Sequence, residues 1–301
     1  MNGHFLLSFK GEHKIQIASI GDPMKAFHEN RTYHSTFPFT VILSDNIDFL
    51  AHWHNDLELV YVFEGAIRMG INSETRVLEA GDIAICSSGD IHYYDSKDST
   101  SKIMMVIFNP SLIGFPGGWP LKVKLTSPFI VKSLVTKVDE VAINNRLSAI
   151  MQELMREYNQ KLEHHEQIII GLLHELSGLI LRHIPLDKIN PQKDKRRITN
   201  MKIMQEVLEY LDDNYMHAIT LADAAHQANM SLFYFSRFFK SISGKSYIAY
   251  LSNIRINQAE QLLLTTDKTI LDIALECGFT NIRTFNRVFK QIKQRTPSEL
   301  R

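Results

Sequence analysis

Two stretches near the C-terminus repeat one another. The first runs from Thr220-Leu-Ala-Asp-Ala-Ala on to Ser236-Arg237-Phe238-Phe239-Lys240. The second runs from Thr269-Ile-Leu-Asp-Ile-Ala on to Asn286-Arg287-Val288-Phe289-Lys290. Aligned at Thr220 and Thr269, they agree at Asp223/Asp272 and Ala225/Ala274. After one extra residue in the second turn they agree again at Phe235/Phe285, Arg237/Arg287, Phe239/Phe289 and Lys240/Lys290. A period of about 50 residues marks one supersecondary unit used twice.

Each copy opens with Thr-x-x-Asp ahead of an apolar run, where the Thr hydroxyl can cap free backbone N–H groups. A short helix follows, then a turn (Ala228-Asn229-Met230 or Cys277-Gly278-Phe279), then a capping candidate, Ser231 or Thr280/Asn281, opening a second helix. Phe235, Phe238 and Phe239 face inward on that helix, while Phe233, Ser236 and Arg237 share another face. This is the pattern of a helix-turn-helix. Between the copies, Tyr250, Leu251, Ile254, Ala259, Leu262 and Leu263 fall near helical spacing, predicting one helix over 247–265. At 1.5 Å per residue it is roughly 28 Å long. Successive major grooves on one face of DNA lie about 34 Å apart, so such a rod suits two readers in adjacent grooves.

From about Arg196 to Arg301 the chain resembles the DNA-binding domain of AraC/XylS-type transcription regulators. The residues that carry the resemblance are Gly244, Ile254-Arg255-Ile256, Ala259, Leu262-Leu263, Ile273-Ala274, Gly278-Phe279, Phe285, Arg287, Phe289-Lys290 and Thr296-Pro297. Gln294 departs from it where the family usually has Gly, and Ile282 replaces a polar residue. By family position and helix face, the resemblance implies that Phe233, Ser236 and Arg237 form the first reader and Arg283, Asn286 and Arg287 the second. Arg suits guanine and Asn adenine in the major groove. Ser231, Lys240 and Lys290 are placed for phosphates. Arg237 and Arg287 each sit two residues before a core Phe, and a structural ion pair is the competing role.

Charge agrees with this reading only when divided. The 301-residue chain is neutral overall, with 33 Lys/Arg against 33 Asp/Glu. Residues 196–301 carry 14 Lys/Arg against 10 Asp/Glu, and residues 1–195 carry 19 against 23. The basic surplus sits where phosphate contacts need it.

From Phe37 to Phe108 short strand candidates succeed one another: 39–44, 49–54, 57–63, 67–71, 75–78, 83–86 and 102–108. They are punctuated at Asp45-Asn46, Glu64-Gly65, Asn72-Ser73, Gly81-Asp82 and Gly89-Asp90. Such a series predicts an antiparallel sandwich or barrel. Within it, His52-Trp-His54-Asn-Asp-Leu-Glu58 precedes Gly65, and Gly81-Asp82, Gly89 and His92 follow. This spacing resembles the two motifs of cupin barrels, with Ser87 where Pro is usual and no Asn after His92. In cupins the matching residues hold a divalent metal, which would make His52, His54, Glu58 and His92 ligands. In AraC-type sensory domains such residues also line a small-molecule pocket or complete an interior hydrogen-bond network. Three imidazoles and a carboxylate suit zinc, iron, nickel or manganese. A regulator requires no cofactor. Trp53, Tyr93 and Tyr94 are expected to pack.

The Gly/Pro-rich stretch 114–128 is expected to be a loop. Two amphipathic helices follow, with stripes Leu147, Ile150, Met151, Leu154, Met155, Tyr158 and Ile169, Leu172, Leu173, Leu176, Ile180. The family position implies a homodimer contact for this pair; packing on the barrel is the alternative. Residues 184–195 are expected to form an exposed linker. The first 36 residues carry no strong periodic signal.

The expected architecture is multidomain: an N-terminal all-β cupin-like barrel (1–128), a central helical pair with linker (129–195), and a C-terminal all-α double helix-turn-helix domain (196–301). The expected function is an effector-controlled transcription regulator, an activator by family habit. Its partners would be double-stranded promoter DNA, a sugar-like small-molecule effector, a second copy and RNA polymerase. Two other readings stand beside it: a metal-dependent cupin enzyme fused to a DNA anchor, and a constitutive DNA-binding protein whose barrel is a scaffold. Two cysteines, no signal-peptide order at the start and no membrane-length apolar run point to the cytoplasm.

Overall fold

The computed structural model describes residues 37–120, 122–131 and 138–301. The open question of residues 1–36 lies outside them. The long strand β3 (Leu57–Ile71) joins the two sides of the barrel. Its first half pairs antiparallel with β7 (Ser101–Phe108) and β5 (Ile83–Cys86), and its second half with β4 (Glu74–Glu79) and β6 (His92–Asp95). Outside these lie β1 (Phe39–Asp45) on β7, β9 (Phe129–Ile130) on β5 and β2 (Phe49–His52) on β6.

The sequence splits β3 in two at Glu64-Gly65; the structure does not. The register slips between Val62 and Glu64, and Gly65 takes φ 70° there. A Cβ on Gly65 would lie 1.9 Å from the Thr100 carbonyl oxygen. Gly65 therefore bends the strand as a bulge rather than reversing it. Strand β6 was also not anticipated, because His92–Asp95 is only four residues long.

Period-two alternation sorts the side chains. Leu57, Leu59 and Tyr61 face outward with Ile83, Ile85, Met104 and Val106. Val60 and Val62 face the barrel interior with Ala84, Cys86, Met105 and Ile107. The outward set is covered by α1 (Val138–Gln160) and α2 (His165–His183). Leu147, Ile150, Met151, Leu154, Ile169, Leu172, Leu173, Leu176 and Ile180 share that core, and Met155 and Tyr158 pack at its margin. The apolar stripes thus close on the barrel, where each large side chain contributes roughly 1.5–3 kcal/mol. The buried stripes themselves are therefore not free for a homodimer contact.

Two expectations about connections are corrected. The stretch 114–128 contains β8 (Val123–Leu125), which pairs with β10 (Leu186–Lys188) inside the expected exposed linker. The next helix, α3 (Pro191–Asn214), starts before Arg196, so the expected 195/196 boundary falls inside a helix. Asp194 explains the early start: it accepts from the Asn190 backbone N–H at 2.8 Å and from Lys124 Nζ at 2.5 Å, and it is buried.

The double helix-turn-helix forms as the repeat predicts. Its helices are α4 (Leu221–Gln227), α5 (Leu232–Ser243), α6 (Tyr247–Thr265), α7 (Ile270–Glu276), α8 (Ile282–Lys293) and α9 (Pro297–Leu300). Thr220 and Asp223 form a reciprocal capping box, and Thr269, Ser231 and Asn281 cap the other three motif helices. The rod α6 belongs to two cores. Tyr247, Tyr250, Leu251 and Ile254 pack with α3 and α5, while Ile256, Ala259 and Leu263 pack with Phe279, Phe285 and Phe289. No helix among the described residues is long and apolar enough to cross a membrane.

Candidate functional site

The first candidate surface is the outward face of the two second helices. On α5, Phe235 and Phe239 are fully buried, which turns Ser236, Arg237 and Lys240 outward. Phe233 is 74% exposed, an unusual exposure for so large an apolar side chain, and Arg237 lies over its ring at 5.8 Å. On α8, burial of Phe285 and Phe289 leaves Arg283, Asn286, Arg287 and Lys290 exposed. Neither Arg237 nor Arg287 has an ion-pair partner among the described residues, so the competing structural role has no partner there to support it. Ser231 is exposed and its hydroxyl accepts from the Tyr234 N–H at the start of α5. Ile282 is half-buried and packs into the second core, which accounts for its apolar character.

The second candidate is a buried histidine centre in the barrel. His52, His54, Glu58 and His92 are all at most 2% exposed. Their assembly follows from strand register: His52 stands opposite His92 in the β2–β6 pair, and Glu58 has the inward parity of β3. His54 lies just past the end of β2 rather than within a strand, yet its ring still reaches the same centre. Donor atoms of the three histidines lie within 4.8 Å of one another. Each Nδ1 faces a backbone carbonyl: Leu50 for His52 at 2.9 Å, Asp56 for His54 at 3.0 Å, and Asp90 for His92 at 3.0 Å. A carbonyl only accepts, so each Nδ1 carries a proton; His54 Nε2 lies 3.0 Å from Glu58 Oε2 and donates to that carboxylate with a second one. Backbone partners that fix imidazoles in this way are what metal-ligating histidines require. His92 Nε2 is buried 3.5 Å from Glu58 Oε2; burial lowers its pKa, but Cys86 and Glu58 outweigh that and hold it well above the ordinary value.

Burial, with His92 and His54 beside it, pushes the His52 pKa well below its ordinary value and keeps the ring neutral. Burial would raise Glu58, but His92 and the His54 hydrogen bond at 3.0 Å outweigh it and hold the carboxyl low. Sequence reasoning missed Tyr94, whose hydroxyl donates to Glu58 Oε1. It lies two residues beyond His92 on one strand, so the alternation was a usable signal. Cys86, opposite Glu58 in the ladder, has its thiol pushed up to about 11 by burial and is inert as a nucleophile.

The two candidates are joined mechanically. Leu50, Ala51, Ile91 and Tyr93 of the barrel share a core with Met204, Leu208, Leu211, Phe238, Phe239 and Tyr250 of the C-terminal domain. Gln205 donates to the Gly89 carbonyl at 2.9 Å, and Lys245 lies 3.7 Å from Asp48. Gly244 lets the end of α5 sit on Tyr93, since a Cβ there would fall 2.5 Å from the ring.

An N-terminal β-barrel fused to a double helix-turn-helix domain has the layout of a DNA-binding transcription regulator. Residues 224–301 match the family described as a helix-turn-helix domain, and residues 40–108 match the cupin domain family. The melibiose operon regulatory protein of Escherichia coli is 27% identical over 264 residues, covering 83% of each chain. The raffinose operon transcriptional regulatory protein RafR of Pediococcus pentosaceus is 25% identical over 232 residues, 76% of this chain and 78% of the relative. The transposon Tn10 TetD protein of Escherichia coli is 35% identical over 99 residues, 33% of this chain and 72% of the relative. The chain belongs to the AraC family of transcription regulators.

Proposed function

We propose that the chain activates a carbohydrate-utilisation promoter in response to a saccharide, acting as a homodimer that engages RNA polymerase. The relatives named for melibiose and raffinose operons support the saccharide class, and family habit supports activation and dimerisation. The observation that carries effector control is the shared core between β2/β6 and α3, α5 and α6. A ligand that prefers one docking of these elements shifts the population of DNA-competent molecules. Phe233, Ser236 and Arg237, with Arg283, Asn286 and Arg287, read bases in this proposal; Ser231, Lys240 and Lys290 hold phosphates. Selection of the protein's own sheared genomic DNA, at stated salt and with or without melibiose or raffinose, tests it. The expected result is enrichment of a few promoters, with half-sites about one helical turn apart. Retention of DNA without sequence preference would oppose it.

A second proposal rests on the three oriented imidazoles: His52, His54 and His92 hold a divalent ion, with Glu58 beside it. Bound there, an ion would supply positive charge beside Glu58 and link His52 and His54 with His92 of β6. Elemental analysis is expected to find one ion per chain and a lower melting temperature after chelation. Protein that stays metal-free in zinc or nickel, with unchanged melting, would reject it.

A further inference from the structure

Aligned at Phe235 and Phe285, the two reading helices present matching exposed stripes at i, i+3, i+4 and i+7 along one face. On α5 these are Phe233, Ser236, Arg237 and Lys240; on α8 they are Arg283, Asn286, Arg287 and Lys290. The last two places carry Arg and Lys in both. The leading place differs in kind, with an aromatic ring on the first helix and a guanidinium on the second.

Packing does not account for Phe233. It is 74% exposed, more than any other large apolar side chain among the described residues, and it belongs to none of the four apolar cores. A ring left in water forgoes the stabilisation that Phe235 and Phe239 gain by burial on the same helix. Position supplies a reason. Ser231 caps α5, so Phe233 is the second residue of the helix, and the N-terminal residues of a reading helix are those that reach base edges. A phenyl ring offers no hydrogen bond there, and the apolar group that the major groove displays is the C5-methyl of thymine. We propose that Phe233 reads that methyl, which specifies a thymine in the half-site of the first reader.

Arg237 steadies the ring for this task. Its guanidinium lies over Phe233 at 5.8 Å from the ring centre, an attraction that favours one placement of both side chains. The two residues are one turn apart, about 5.4 Å along the helix, against about 3.4 Å per base step. With Arg237 on a guanine, the thymine therefore falls one or two base pairs away.

The unlike leading residues also give the site a direction. Arg283, at the matching place of the second reader, suits guanine. Turning the chain end for end would set the Phe233 ring against the N7 and O6 acceptors of that guanine and leave them unpaired. The inference rests on the regulator reading and assigns one of its readers to a single chemical group.

The test selects binding sites for the full chain from a random duplex library copied with dTTP, with and without melibiose or raffinose. Selection is expected to fix one thymine, one or two base pairs from a guanine, in one of the two half-sites. The selected duplex is then remade with deoxyuridine at that position, which removes the methyl and keeps every hydrogen-bonding group. Wild-type affinity is expected to fall about fourfold, the worth of one buried methyl. Phe233→Ala should bind the two duplexes alike and melt at the wild-type temperature. Phe233→Arg, selected from the same library, should replace the thymine with guanine. Equal wild-type affinity for the two duplexes, a difference that survives in Phe233→Ala, or a lower melting temperature of Phe233→Ala would overturn the assignment and leave the regulator standing. A library that yields no enriched sequence would reject sequence-specific binding itself, and this assignment with it.

Discussion

The hydroxyl of Tyr250, in the middle of the DNA domain's rod, donates to the carbonyl of Ala51 on β2 at 2.6 Å, and both residues are fully buried. His52, the next residue, belongs to the histidine centre. One hydrogen bond therefore ties the element that spaces the two readers to the strand that carries the centre.

Removing that hydroxyl as Tyr250→Phe leaves a buried carbonyl unpaired at a cost of about 1–3 kcal/mol. The expected outcome is a lower melting temperature and a smaller effect of effector on DNA affinity. An unaltered effector response would show that the domains communicate by another route.

Arg255 has a structural task inside the DNA domain. Its Nε and Nη2 each donate at 2.8 Å, to the carbonyls of Tyr215 and His217, and its guanidinium lies 5.9 Å from the Phe279 ring centre. Arg255→Ala is expected to cost roughly 2–3 kcal/mol of stability by urea unfolding, because it strips charged donors from two carbonyls.

Gln294 ends α8 in the left-handed conformation at φ 57°, where the matching end of α5 has Gly244 at φ 72°. A side chain in that region costs about 1 kcal/mol. Gln294→Gly is therefore expected to raise the denaturation midpoint of the domain without altering promoter choice.

Among the readers, Arg287→Ala is expected to lose roughly 1–3 kcal/mol of specific binding and relax preference at one base pair, whereas Lys290→Ala should weaken all sequences alike. Competition binding against a panel of single-base variants separates the two patterns.

The Lys124–Asp194 pair makes stability depend on acid. The Lys124 hydrogen bond, followed by that of the Asn190 N–H, holds the Asp194 carboxyl below its usual range. A depressed folded value stabilises above the unfolded value of roughly 3.9 and fades as pH falls through the folded one. Asp194→Asn is expected to melt lower than wild type at neutral pH, with the gap closing in acid. A gap that persists below about pH 3 would assign the effect to packing instead.

The double helix-turn-helix was legible because its signals are local. Capping residues, turn residues and helical spacing act within a few positions, and the repeat states them twice. The histidine centre was half legible: His52, His54, Glu58 and His92 share a motif spacing, but Tyr94 entered it only through the inward parity of a four-residue strand. The split of β3 at Gly65 failed because a positive-φ glycine serves a turn and a bulge equally, and only the approach of the Thr100 carbonyl distinguishes them.

Periodicity alone determined that the paired helices carry apolar stripes; burial against Leu59 and Val106 decided what those stripes cover. The docking of Tyr93 on Gly244 and the β8–β10 ribbon belong to the tertiary structure entirely. They join residues more than 50 positions apart, and local propensity carries no information about which distant surfaces will bury one another.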